Sequence, residues 1–348
     1  MNDSEPPKQK RRWYHLAPWD CFAIGLLAVE ASLLLTEWSR LSPHPKGWLG
    51  LHAVACVGVA LLGMLIWFAA GLLLRRPFQF ALRPLLVPVV AVAIPCTWLA
   101  VEVRRADKQQ EAVEAIEEVG GKVACDFQRG QNGEPPGPAW LRNMLPDHFF
   151  TIVIGVSHGE ATNADLMHLE SLMQLQWLSL SGPQVTDAGL VHVKGLTRLQ
   201  ELFLGGTQVS DAGMENLTGL TQLETLNLVG TQVTDAGLRD MKQLPQLFGL
   251  ELTGTPVTGP GLEHLKGLTS LQVLSLESSK ITDAGLVHLK GLTSLRSLSL
   301  QNSKITDAGL EHLKGLTSLS ELELFGTQVT GAGVTELQKA LPNCRVSP

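Results

Sequence analysis

The 24 residues LRSLSLQNSKITDAGLEHLKGLTS, at 295–318, follow a near copy of themselves, LQVLSLESSKITDAGLVHLKGLTS, at 271–294. The same frame runs outward at a constant step, with leading leucines at Leu175, Leu199, Leu223, Leu247, Leu271, Leu295 and Leu319. Two further leucines follow three and five residues later, as at Leu178 and Leu180 or Leu298 and Leu300. Ten residues after each leading position stands Val or Ile, from Val185 to Val329. A fixed period of this length means that each unit is one supersecondary element stacked on its neighbours. The L-x-x-L-x-L portion alternates as a strand with its leucines inward. The later spacing of Leu286, Leu289 and Leu292 gives one apolar face on a short helix. Neither piece can bury its apolar side alone, so stacking must close a continuous core, with a parallel sheet on the concave side and helices on the convex side.

Carried backward at the same step, the register places Ile154, Val156, Leu166, Leu169 and Leu172 in a degenerate first unit, which makes eight units over 151–348. One inserted residue within 338–341 puts Cys344 at the leading position of an incomplete ninth strand, as a C-terminal cap requires. Between strand and helix the chain reads T-D-A-G-L. Asp187, Asp211, Asp235, Asp283 and Asp307 share a column with Gly259 and Gly331, and the next column holds Ala or Pro260. Proline favours the first helical position, so the Asp column reads as the helix N-cap, with the preceding Thr as the alternative. The Gly189-to-Gly333 column reads as close helix packing. His192, His264, His288 and His312 form a broken column that repeat copying explains, so no metal site is assigned. Cys125 and Cys344 both read as buried, and no cysteine spacing matches a zinc or disulfide framework.

These units resemble the leucine-rich-repeat family, specifically its ribonuclease-inhibitor-like and cysteine-containing classes, in which I/V-T-D-x-G-L recurs. The resemblance covers 151–348 and implies an α/β leucine-rich-repeat solenoid. Where the family usually has Asn or Cys after the strand, this chain has Thr207, Thr231, Thr255, Ser279, Ser303 and Thr327, whose hydroxyls can still bond the turning backbone. No F-box-like segment is present, so a ubiquitin-ligase role does not carry over.

The N-terminal third has another composition. Residues 48–74 contain no Asp, Glu, Lys or Arg, and neither do 85–101. With the run centred on Cys21–Leu35, these read as an α-helical membrane region, 19–103, of two or three spans at about 19–38, 48–74 and 85–103. The basic residues 8–12 (KQKRR) lie in a cytoplasmic N-terminus, 1–18, and Lys/Arg counts of seven inside against five outside favour an extracytoplasmic repeat domain on the cell membrane. Glu30 lies mid-span, where a carboxylate costs about 2.5–3.5 kcal/mol on insertion scales; no second deep charge is there to build a relay with it. Residues 104–150 read as a charged juxtamembrane helix, ended by Gly120-Gly121, then a strand at 122–128, a Gly/Pro-rich loop and an N-terminal cap. This layout resembles uncharacterised bacterial membrane-anchored leucine-rich-repeat proteins.

The net charge of -6 sits wholly in the second half: residues 151–348 carry 12 Lys/Arg against 19 Asp/Glu, which argues against nucleic acid. No nucleophile elbow, phosphate loop or zinc-protease motif is present, and the reading is not an enzyme, with no cofactor and no catalytic or metal residues. What remains is the outward strand positions. Trp177, Glu201, Phe203, Asn227, Glu251, Glu277, Glu321, Glu323 and Phe325 mix acids with aromatics, which suits a basic protein partner. The functional expectation is a membrane-tethered protein-recognition or scaffold module; the alternative is a membrane-domain sensor or transporter-like protein regulated by the repeats.

Overall fold

The alternating leucines build a ten-stranded sheet in which strand order equals chain order. The computed structural model describes residues 82–126, 145 and 147–348. The strands are β1 (Lys122–Cys125), β2 (Val153–His158), β3 (Trp177–Leu180), β4 (Glu201–Phe203), β5 (Thr225–Asn227), β6 (Gly249–Glu251), β7 (Val273–Ser275), β8 (Ser297–Ser299), β9 (Glu321–Glu323) and β10 (Arg345–Ser347). From β2 to β10 every pair is parallel, and from β3 to β9 each residue pairs with the one 24 positions on, as Leu202 does with Leu226. β1 closes the N-terminal edge by antiparallel pairing with β2. β10 is the incomplete ninth strand, and Cys344 just before it is buried. Burial, and secondarily Glu321, pushes the Cys344 thiol up in pKa; burial, then Asp126 and Glu117, does the same for Cys125. Neither thiol is poised to ionise.

The first unit departs from the strict period. Val156 pairs with Leu178 and His158 with Leu180, so β2 lies two residues away from the backward-carried register. The connection from β2 to the following helical turn is two residues short. A two-residue slip keeps the same side chains inward, which is why Ile154 and Val156 remain buried. The slip drives His158 into a leucine site. Its ring is 4% exposed, Nε2 stands 3.5 Å from Asp165 Oδ2, and neither ring nitrogen makes a hydrogen bond among the described residues.

The convex segments are mostly 3₁₀-helix, as at Gly237–Gln243, Gly259–Gly267 and Val287–Gly291. The reason lies in the spacing: leucines at i, i+3 and i+6 share one face at 3.0 residues per turn. The inserted residue in the last unit changes that spacing. Leu337 and Leu341, four apart, both turn inward, and Gly331–Ala340 is a ten-residue α-helix.

The residue that ends the extended turn and caps the helix is Thr or Ser, not Asp. Thr186, Ser210, Thr258, Thr282, Thr306 and Thr330 have extended backbones at the N-cap, and Asp187, Asp211, Asp283 and Asp307 are the first helical residues. From there the aspartate points to the next unit. Asp211 Oδ1 accepts the Thr234 N–H at 2.7 Å, and Oδ2 accepts the Thr234 hydroxyl at 2.6 Å. Asp187, Asp235, Asp283 and Asp307 hold Ser210, Thr258, Thr306 and Thr330 in the same way. These bonds hold the Asp307 carboxyl below the usual carboxylate range. The glycine column answers the same aspartates: a Cβ on Gly237 would stand 2.6 Å from Asp211 Oδ1.

The helix expected at 104–119 is the second part of one continuous helix, Leu82–Glu118, that also takes in the third expected span at 85–103. Its charge-free stretch is bounded within the same helix by Arg83 and by Glu102, Arg104 and Arg105. Among the described residues no helix is long and apolar enough to cross a membrane. The first two expected spans, with Glu30, lie outside the described residues. The chain divides into two compact units, and the repeat unit comprises Ala106–Glu134 with Thr151–Pro348. Within it Ala112 and Ile116 join the leucine core and Val113 packs against it, while Val119 is exposed. The helix ends as the glycines require: Gly120 takes φ +88°, and the Gly121 N–H bonds the Ile116 carbonyl at 2.8 Å.

Restoring the repeat residue by His158→Leu removes two unpaired buried nitrogens and is expected to stabilise the domain by about 1–3 kcal/mol. Thermal unfolding followed by circular dichroism checks this; a lower midpoint than the parent chain would show that the imidazole contributes to the fold.

Candidate protein-binding surface

The parallel register turns three sequence columns into three physical rows on the concave face. Trp177, Glu201, Thr225, Gly249, Val273, Ser297 and Glu321 pair in series, and so do Ser179, Phe203, Asn227, Glu251, Ser275, Ser299 and Glu323. Neighbouring strands lie about 4.8 Å apart, so side chains in a row touch. The third row, which holds Glu277 and Phe325, continues the ladder through Gly254 N–H to Glu277 carbonyl at 2.9 Å and Asn302 N–H to Phe325 carbonyl at 2.8 Å.

The structure joins several expected site residues to one another. Asn227 Nδ2 donates to Glu251, while Asn227 Oδ1 accepts the Val229 N–H at 3.0 Å. Glu277 accepts from Ser299 at 3.1 Å, Glu323 from Gln301 at 2.8 Å, and Glu321 from Ser297 at 3.4 Å. These acids are half-buried and held by neutral donors, which fixes their position on the face. Glu201 is exposed, Phe203 is half-buried beside Asn227, and Phe325 is 65% exposed.

Trp177 stands apart from this group. Its ring lies over Gly155 of β2, where any Cβ would collide with the indole, and the indole N–H is buried with no acceptor among the described residues. The residue packs the first unit against the second and presents only part of its surface. A face residue absent from the expected set is Phe248, 42% exposed, in the row directly before the three outward ones. That row otherwise reads Gln176, Gln200, Glu224, Gln272, Arg296 and Ser320, so a lone aromatic in a polar column was the available signal.

The turn that leaves each strand supplies a second irregularity. Gly206, Gly230, Gly254 and Gly326 take positive φ, and at the same place Ser278 and Asn302 do so at 51° and 55°. A side chain there is strained, and the Asn302 amide leans over Gly326, whose missing Cβ leaves the room. Beside them the turn hydroxyls do what the sequence suggested: Thr207, Thr231, Thr255, Ser303 and Thr327 each donate to the carbonyl three residues back, at 2.5–2.7 Å. Ser279 does not, and its hydroxyl is buried without a partner among the described residues. On the convex side His192 pairs with Glu170 at 2.6 Å, and no group of His, Cys, Asp or Glu able to hold a metal is found among the described residues.

Two leucine rich repeat models match the chain, one over residues 261–329 and one over 219–241. The chain thus carries leucine-rich repeats. Similar solved structures include internalin C2 of Listeria monocytogenes, 26% identical over 60% of this chain and 89% of that one, with a TM-score of 0.46. A second internalin of Listeria monocytogenes is 19% identical over 52% of this chain and 63% of that one, at a TM-score of 0.34. A leucine-rich-repeat protein of Leptospira interrogans is 19% identical over 55% of this chain and 58% of its own, at 0.35. No curated protein matches the chain.

Proposed function

We propose that this leucine-rich-repeat protein is a membrane-tethered recognition module whose concave sheet binds a basic segment of another protein. Leucine-rich repeats generally mediate binding between proteins. The observation that carries the reading is the acidic face itself: Glu251, Glu277, Glu321 and Glu323 are held in place by neutral donors, with Glu201 exposed on the same face. Fixed like charges raise the association rate for a partner of opposite sign. Phe325 and Phe248, both exposed, are apolar side chains of the kind on which such interfaces depend. Tethering rests on the charge-poor runs at 19–38 and 48–74, and placement outside the cytoplasm rests on the Lys/Arg distribution around them.

A lysine-rich peptide with one aromatic residue, titrated against the full-length chain by fluorescence anisotropy, tests the surface. Binding is expected to weaken with salt and to fall about tenfold or more in Glu201→Lys combined with Glu323→Lys, with a smaller loss in Phe325→Ala. Equal affinity in the parent and the double reversal would remove the acidic face from consideration. Tethering is read separately: in membranes washed with alkaline carbonate the chain is expected to stay in the pellet until detergent is added. Protease applied to intact cells should then digest residues 151–348. Release by alkali contradicts the tether, and protection from protease contradicts the extracytoplasmic side.

A further inference from the structure

Among the described residues four buried side-chain nitrogen or oxygen atoms have no hydrogen bond, and three of them lie on one pair of strands. They are both ring nitrogens of His158, at the end of β2, and the indole Nε1 of Trp177, at the start of β3. The fourth is the Ser279 hydroxyl, in the turn after β7. A buried polar group without a partner costs stability, and water returns that stability once the group is exposed. The cost is therefore concentrated where the first unit meets the second.

The fastening is also weaker there. Asn163 gives Thr186 two bonds from a neutral amide, where five later junctions have a carboxylate. Charge-assisted bonds are about twice as strong as neutral ones. Asp165 stands 3.5 Å from His158 Nε2 but is committed within its own unit, since its Oδ2 accepts the Thr162 N–H at 2.8 Å. What lies on the N-terminal side of the junction is tied together instead. β1 pairs with β2, the Gln109 amide donates to the Thr151 carbonyl at 3.0 Å, and Ala112 and Ile116 join the leucine core. In a stacked array stability is a sum of unit and interface terms, so opening begins at the interface that carries the cost.

We propose that the first unit, with β1 and the helical residues 106–118, is a detachable cap that opens as one body between β2 and β3, ahead of the rest of the solenoid. Opening draws Gly155 off the indole and leaves Trp177 at the bare edge of the sheet, on the concave face. That consequence rests on the concave sheet being the binding face, whereas the opening is measured with no partner present. Hydrogen exchange of the purified full-length chain at neutral pH, followed by mass spectrometry, tests it. Amides of β1 and β2 are expected to exchange together, about tenfold or more faster than those of β4 to β8. His158→Leu combined with Trp177→Phe removes all three unpaired atoms, and Asn163→Asp separately restores the carboxylate. Each variant is expected to slow exchange in β1 and β2 about tenfold and to leave β4 to β8 unchanged. Ser279→Ala, which removes the fourth unpaired atom, is expected to leave β1 and β2 as they are in the parent. Three results would overturn the proposal: protection in β1 and β2 equal to that in β4 to β8, first opening at the Gly259 junction where the carboxylate is also missing, or unaltered β1 and β2 exchange in both variants. Slowing of every strand alike would make global stability the cause and overturn it as well.

Discussion

Five units of this solenoid are each fastened to the next by a carboxylate placed where the neighbour has no side chain. The aspartate opening one helical turn reaches across to the N-cap residue of the following unit and takes both its N–H and its hydroxyl. In three of these units the same hydroxyl oxygen also accepts from the helix it caps, as Thr234 does from Ala236, Thr306 from Ala308 and Thr330 from Gly333, each at 3.3 Å. The carboxylate can sit there only because the following unit has glycine at the position it crosses. Leucine burial drives the stacking, but it is non-directional and would tolerate sliding. The polar interlock sets the register, and with it which side chains become neighbours on the concave face.

The exceptions follow the same logic. In the first unit Asn163 replaces aspartate: its oxygen accepts the Thr186 N–H at 2.9 Å and its amide donates to the Thr186 hydroxyl at 2.8 Å. In the fifth unit Gly259 stands in the column, and there the backbones meet directly, since a Cβ on Gly285 would lie 2.6 Å from Gly259 Cα. The eighth unit has Gly331 and no following turn to hold.

The 24-residue step made the sheet, its parallel order and the terminal strand legible in the sequence, because period and alternation together leave one arrangement of inward leucines. What it could not reveal was directional. Proline favours the first helical position, but Pro260 is the second residue of its helix, and counting from it alone exchanges the roles of Thr and Asp by one residue; the across-unit bonds that separate them are invisible along the chain. The two-residue slip at β2 was hidden for a similar reason, since an even shift leaves the hydrophobic pattern intact. His158 was the visible trace of that slip. On the concave face the rows were readable, but the pairing of Asn227 with Glu251 and the turning of Trp177 onto Gly155 depend on which neighbour fills which space.

The interlock between aspartate and glycine fixes the sign of one substitution. Gly261 has an ordinary helical backbone, and the three atoms nearest an added Cβ all belong to Asp235. A double-mutant cycle of Asp235→Ala and Gly261→Ala, read from chemical denaturation, therefore tests it most directly. Gly261→Ala alone should destabilise the domain, by displacing the carboxylate from Thr258. In the Asp235→Ala background the same change should become neutral or stabilising by about 0.5–1 kcal/mol, as alanine in place of glycine does in an unobstructed helix. Additive losses in the cycle would contradict the account and leave leucine packing as the sole determinant of register.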